Sequence, residues 1–215
     1  MGSVVAGMLP TDENGADRIV LGLLNSVEAD GARSQRRIAA ELGIALGLVN
    51  AVLKRAVKKG LVKVGQAPAR RYAYYLTPQG FSEKSRLTVQ YLSDSFSLFR
   101  KAKEDYGRIF DRVCAMGFEK VVLAGKSDLC EIALLCAVDR PISIVAVVDP
   151  DEAAPRFLGI EVLPSYEAVE VPFDAVVVTH LTRAASAFAQ AIEKFGAERV
   201  MAPDLLGLRA HGSRG

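Results

Sequence analysis

From residue 79 to residue 116 the chain contains no proline and only two glycines, Gly80 and Gly107. Over that stretch Val89, Leu92, Phe96, Phe99, Lys103, Tyr106, Phe110 and Val113 advance by alternating steps of three and four, the stripe of a helix that packs along another helix. A helix over 78–116 is about 55 Å long at 1.5 Å per residue, more than one small domain can cover. The spacing therefore predicts a connecting helix between two domains. Its seam is expected to pair with a second copy of the chain, or else to pack on the chain's own C-terminal half. Lys103, in the seam, is expected to snorkel or to find a partner.

Upstream, residues 34–76 read as two short helices, a tight turn and a basic hairpin. Ser34 suits the N-cap of a helix over 35–41. Leu42, Gly43 and Ile44 supply the turn, Gly43 being the residue best able to take positive φ where a helix ends. Val49, Val52, Leu53 and Ala56 recur at helical spacing, so a second helix over 45–59 turns Leu48, Asn50, Ala51, Lys54 and Arg55 outward. Gly60 closes it. Residues 61–64 and 72–76 favour strands, with Arg70 and Arg71 at the tip between them. A first helix over 16–27, carrying Ile19, Val20, Leu23 and Leu24, backs the other two, and residues 1–14 are a frayed lead-in.

This order of elements is the docking geometry in which a recognition helix enters the major groove while flanking groups hold phosphates. Leu48, Asn50 and Ala51 are then expected at base edges, with Asn50 able to make a bidentate contact to adenine. Lys54, Arg55, Arg70 and Arg71 are expected on phosphates. Ser34, Gln35 and Arg36, at the start of the first helix of the pair, complete the DNA-facing set. Charge agrees: residues 31–86 hold twelve Lys or Arg against only Glu41 and Glu83, a local +10 inside a chain of net +2. Such an excess is the electrostatic footprint of a segment that displaces counterions from a phosphate backbone.

The runs Ser34-Gln35-Arg36-Arg37-Ile38-Ala39-Ala40-Glu41-Leu42-Gly43-Ile44, Gly47-Leu48-Val49-Asn50, Lys59-Gly60-Leu61-Val62-Lys63 and Tyr75-Leu76-Thr77-Pro78-Gln79-Gly80 resemble the MarR-type winged helix. More narrowly, they are similar to small regulators associated with exopolysaccharide gene clusters, whose Leu-Thr-Pro-x-Gly run leads into a helix beginning Glu-Lys-x-Arg-Leu-Thr. Here that helix begins Glu83-Lys84-Ser85-Arg86-Leu87-Thr88. The resemblance spans about half the chain, residues 17–110, and implies a DNA-binding regulator of polysaccharide genes.

Beyond Gly117 the periodicity changes. Strands over 120–124, 142–148, 157–162, 175–179 and 199–202 alternate with helices over 128–138, 166–169 and 184–195, which predicts a parallel, doubly wound sheet with its pocket at the carboxyl ends of the strands. The overall expectation is thus α/β plus winged helix: a winged helix-turn-helix over 1–77, the long helix over 78–116, the sheet domain over 117–208 and a tail over 209–215. The first strand runs through Gly125, Lys126, Ser127 and Asp128 into a helix, where dinucleotide folds seat phosphate. Only one glycine of G-x-G-x-x-G is present, so Lys126 could meet a phosphate by charge and Ser127 through its hydroxyl. Asp149, 24 residues after Gly125, stands near the place of a ribose-binding acid or closes a local Asp-Pro turn. Thr179 and His180 border the same crevice.

Val121-Val122-Leu123-Ala124-Gly125, Ala146-Val147-Val148-Asp149-Pro150-Asp151 and Phe157-Leu158-Gly159-Ile160-Glu161-Val162-Leu163 resemble the Rossmann-like domains of CoA-binding proteins, Rex-type redox-sensing repressors and the N-terminal domains of sugar-modifying acyltransferases. The effector that this implies is a nucleotide, a dinucleotide or a nucleotide sugar. Residues 117–215 carry nine Lys or Arg against fourteen Asp or Glu, a net −5, which keeps this half off DNA. Cys114, Cys130 and Cys136 lack Cys-x-x-Cys spacing and read as free thiols. With no basic leader and no long apolar run, neither a signal peptide nor a membrane span is expected, and the cytoplasm is the expected compartment.

The reading is a homodimeric, non-enzymatic transcription regulator that binds double-stranded DNA and a small-molecule effector. Two others remain: a nucleotide-sugar-modifying enzyme tethered to DNA and using His180, and an architectural regulator with no effector.

Overall fold

The structure is a computed structural model that describes residues 13–67, 71–152 and 154–208; the lead-in before residue 13 and the tail after residue 208 lie outside them. The chain divides into two compact units, and the division at Phe96 and Ser97 falls inside the long helix.

In the first unit three helices, α1 (Glu13–Ala29), α2 (Gln35–Leu42) and α3 (Leu46–Lys58), precede the antiparallel hairpin of β1 (Val62–Ala67) and β2 (Arg71–Leu76). Leu23, Leu24 and Val27 from α1, Ile38 from α2, and Val49, Leu53 and Ala56 from α3 meet Val62 and Tyr74 of the hairpin in one core. The turn between α2 and α3 forms as its residues dictate: Ser34 Oγ accepts from Arg37 N at 3.3 Å, and Gly43 takes the left-handed conformation that closes α2. Thr77 joins this unit to α4 (Pro78–Ala115). Its buried hydroxyl donates to Gly60 O at 2.6 Å and accepts from Gly80 N at 3.0 Å, so one side chain caps α4 and ties it to the end of α3. Pro78 follows at the first helical position, where its missing N–H costs nothing.

In the second unit β3 (Lys120–Ala124), α5 (Asp128–Ala137), β4 (Ser143–Val148), β5 (Arg156–Phe157), β6 (Ile160–Leu163), β7 (Ala175–Val178), α6 (Ala184–Phe195) and β8 (Val200–Met201) follow in order. They build a sheet of order β5-β6-β4-β3-β7-β8, parallel except for the β5–β6 pair. The chain moves outward from β3 to β4 and β6, then returns to lay β7 on the other side of β3. Side chains alternate across the strands. Val121, Leu123, Ala175 and Val177 pack with α5 and the second half of α4, while Ala124, Val176 and Val178 pack under α6.

Two expectations change. The single strand expected over 157–162 is a hairpin: Leu158 and Gly159 both have positive φ, 48° and 85°, which makes a tight two-residue turn of the kind that matches strand twist. Only β6 then joins the parallel sheet. The stripe of the long helix is also not one seam. Tyr106, Phe110 and Val113, with Ala102, are fully buried in the second unit, and Tyr106 Oη donates to Val178 O at 2.9 Å. Val89 and Phe96 are 67% and 59% exposed, and Lys103 is exposed on the solvent side. A straight α-helix drifts about 20° per heptad against a strict seven-residue repeat, so over about three and a half heptads such a stripe turns by about 70°. Phe110→Ala is expected to cost about 3–5 kcal/mol in urea unfolding, whereas Lys103→Ala should stay within about 0.5 kcal/mol.

Candidate functional site

Two surfaces carry the expected site residues, one in each unit. In the first, α3 buries Val49, Val52, Leu53 and Ala56. Gly47, Leu48, Ala51, Lys54, Arg55 and Lys58 are left exposed. Arg36 is exposed on α2. Among the described residues none of Arg36, Lys54, Arg55, Lys58 and Lys63 is held in an ion pair, whereas Arg33 is paired with Glu41 and Asp30, Lys84 with Glu28, and Arg86 with Glu83 and Asp17. Part of the +10 is therefore spent inside the fold, and the unspent charge includes Lys54, Arg55 and Lys58 of α3. Arg33 and the Ser26 hydroxyl hold Glu41 below its ordinary pKa, the hydroxyl acting most strongly.

Two of the expected contacts have other placements. Gln35 Nε2 donates to Tyr74 Oη at 3.1 Å, so this amide braces α2 on the hairpin. Asn50 is half-buried; two residues at about 100° each set it about 160° around the helix from Leu48, on the opposite shoulder. Arg70 and the side chain of Arg71 lie outside the described residues. Lys58 and Gly47 were missed by the sequence reading, although helical arithmetic on the buried set puts both near the middle of the outward face.

In the second unit the carboxyl ends of the strands are held by their own polar groups. Asp149, 5% exposed, accepts from Lys126 N at 2.9 Å and Asp151 N at 3.2 Å, and it pairs with Arg183 at 3.2 Å. Arg183 reaches Asp151 as well. Ser127 Oγ donates to Thr179 O and accepts from Leu129 N, and Thr179 Oγ1 donates to Gly125 O. Lys126 Nζ pairs with Glu152 at 2.7 Å. The Gly125–Asp128 loop thus has its cradle occupied by the chain itself. Gly125 has φ 108°, and a Cβ there would stand 2.6 Å from His180 Cβ. This glycine lets the end of β3 lie against the end of β7, which is a packing need rather than a phosphate's.

A cavity of about 380 Å³ opens beside this loop, under α6. Arg183, Ala187, Gln190 and Lys194 line it from one stripe of the helix, facing Ser165, Tyr166 and Glu167. Of the residues expected to hold an effector, Gly125 and His180 line it; Lys126, Ser127, Asp128, Asp149 and Thr179 do not. The 183, 187, 190, 194 spacing was a legible signal, but it reads equally as a solvated helix face until the sheet is in place. His180 Nε2 accepts from Arg183 Nε at 3.1 Å. Burial, with help from Arg183 and against Asp149, lowers its pKa. Arg183 thus occupies His180 Nε2, the nitrogen nearer Asp149. Cys130, fully buried, has its thiol pushed up to about 12 by burial, which leaves it unreactive.

Residues 17–63 match the family model of winged helix-turn-helix DNA-binding domains. This winged helix takes in most of α1, then α2, α3 and the start of the hairpin. Among solved structures the chain is similar to a protein of unknown function from Listeria innocua Clip11262, at 22% identity and TM-score 0.33, covering 38% of this chain and 58% of that one. It therefore spans less than two thirds of that chain's length. The PcaV transcriptional regulator from Streptomyces coelicolor, in complex with its natural ligand, is 22% identical with TM-score 0.36, over 46% of this chain and 72% of that one. The zinc-responsive MarR family member ZitR from Lactococcus lactis is 21% identical with TM-score 0.30, over 47% and 69%. No curated protein matches the chain. Among the described residues no helix is long and apolar enough to cross a membrane.

His180 supplies a pH test. Its folded-state pKa lies below the ordinary 6.5, so the unfolded chain takes up the proton first and stability falls as pH drops through 6.5. Urea unfolding of the second unit should weaken between pH 7.5 and pH 5.5, and His180→Gln should remove most of that dependence; the only other histidine, His211, lies outside the described residues.

Proposed function

We propose that the chain is a DNA-binding transcription regulator of the MarR type, acting as a homodimer and responding to a small molecule in its Rossmann-like unit. The observation that carries this reading is the face of α3, where Lys54, Arg55 and Lys58 stand exposed and unpaired in a segment with no acidic residue between Glu41 and Glu83. Cations without internal partners are free to replace counterions on DNA. The winged-helix match over 17–63 supports the same conclusion. On the resemblance to exopolysaccharide-associated regulators, the proposed targets are polysaccharide biosynthesis genes. No turnover is assigned, because His180 is engaged by Arg183.

The uncovered apolar positions of α4, Val89, Leu92 and Phe96, favour a second copy as their partner, since a two-fold pair would present two recognition helices to a two-fold site. The cavity under α6 falls within the ~300–1,000 Å³ of small-molecule sites, and it lies at the strand ends where such sheets bind ligands. A nucleotide-type effector there would act by binding two dimer states unequally.

Three outcomes test the reading. Lys54→Ala and Arg55→Ala should each weaken binding to any duplex and reduce the slope of log K against log salt by about 1. Phe96→Asp should convert a dimer to a monomer in sedimentation. Screening with NAD, NADH, CoA and UDP-glucose should find one that adds about 2.7 kcal/mol of stability at 100 times its dissociation constant, and Ala187→Trp, which fills the cavity, should abolish that gain.

A further inference from the structure

The first two turns of α3 present almost no hydrogen-bonding chemistry to solvent. Gly47, Leu48 and Ala51 are exposed, Leu48 by 41% and its neighbour Leu46 by 42%. A Cβ built at Gly47 would meet nothing within 4 Å, and its φ is ordinary, so nothing in the fold calls for glycine there. Glycine inside a helix nonetheless costs about 1 kcal/mol relative to alanine. Two tiny residues, Gly47 and Ala51, flanked by one branched apolar side chain make a low ridge that another surface can approach closely. Exposed cations follow on the next turns at Lys54, Arg55 and Lys58. An apolar ridge followed by unpaired positive charge does not suit an apolar protein partner, which would leave those cations desolvated and unpaired. It suits the major groove, whose walls are phosphates and whose floor carries one apolar group, the C5-methyl of thymine. Asn50, the one amide on these turns, is half-buried, one turn before Lys54.

We infer that this ridge reads its operator through thymine methyl groups seated on Leu48 and Ala51, not through hydrogen bonds to base edges. The inference rests on the regulator reading above and narrows it to A·T-containing half-sites with thymines at fixed positions. Lys54, Arg55 and Lys58 set the helix in the groove without choosing the sequence.

The probe is duplex DNA itself. The full-length protein is used at low ionic strength to select from a randomised 20-base-pair library, and each thymine of the selected core is then replaced in turn by deoxyuridine, which keeps every hydrogen-bonding group and loses only the methyl. Affinity measured by fluorescence anisotropy should fall about fourfold at each contacted thymine, the equivalent of about 0.8 kcal/mol for a buried methyl-sized group. Leu48→Ala, at an exposed position that leaves the fold intact, should erase the thymine-over-deoxyuridine preference at its contact, whereas Asn50→Ala should preserve it. A selected site that binds equally well with deoxyuridine throughout overturns the inference and leaves the regulator reading standing. Failure to bind any duplex overturns the regulator reading itself.

Discussion

A long helix is held by the apolar side chains it buries, and α4 has only part of its stripe covered. The first unit takes Leu87 into its core and the second takes Ala102, Tyr106, Phe110 and Val113. Between them Val89, Leu92 and Phe96 remain in water. Thr77 fixes where the helix begins, and the Tyr106 hydroxyl fixes its second half on Val178. The uncovered stretch follows from the geometry of a straight helix, whose 3.6-residue turn cannot keep a seven-residue stripe on one line.

Charge is divided in the same economical way. Arg33, Lys84 and Arg86 look equivalent to Lys54, Arg55 and Lys58 as letters, yet the first three neutralise acids within the first unit. Among the described residues the others meet none. An ion pair at the surface contributes little to stability, but it removes a cation from the set able to meet a phosphate. What recommends α3 as an interface is therefore less the total charge than the part with no internal claim on it.

The second unit shows the complementary rule, that buried polar groups must be satisfied. Asp149, expected near the place of a ribose-binding acid, has its oxygens serving Lys126 N, Asp151 N and Arg183. Ser127 and Thr179 close the loop over the same crevice. The open volume lies instead beside α6, where Arg183, Gln190 and Lys194 face Ser165 and Tyr166.

The sequence by itself determined most of what depends on near neighbours along the chain, the Leu158-Gly159 turn excepted. The boundaries of α2 and α3, the cap at Ser34, the left-handed Gly43, the strand over 120–124 and the helix over 184–195 were all legible, because capping, turn chemistry and apolar spacing act within a few residues. Tertiary structure alone decided which groups were already spent. That Gly125 accommodates His180, that Gln35 braces Tyr74 and that Asp149 is claimed by Arg183 are facts about groups brought together through space, and no local pattern records the distance between two residues that fold into contact.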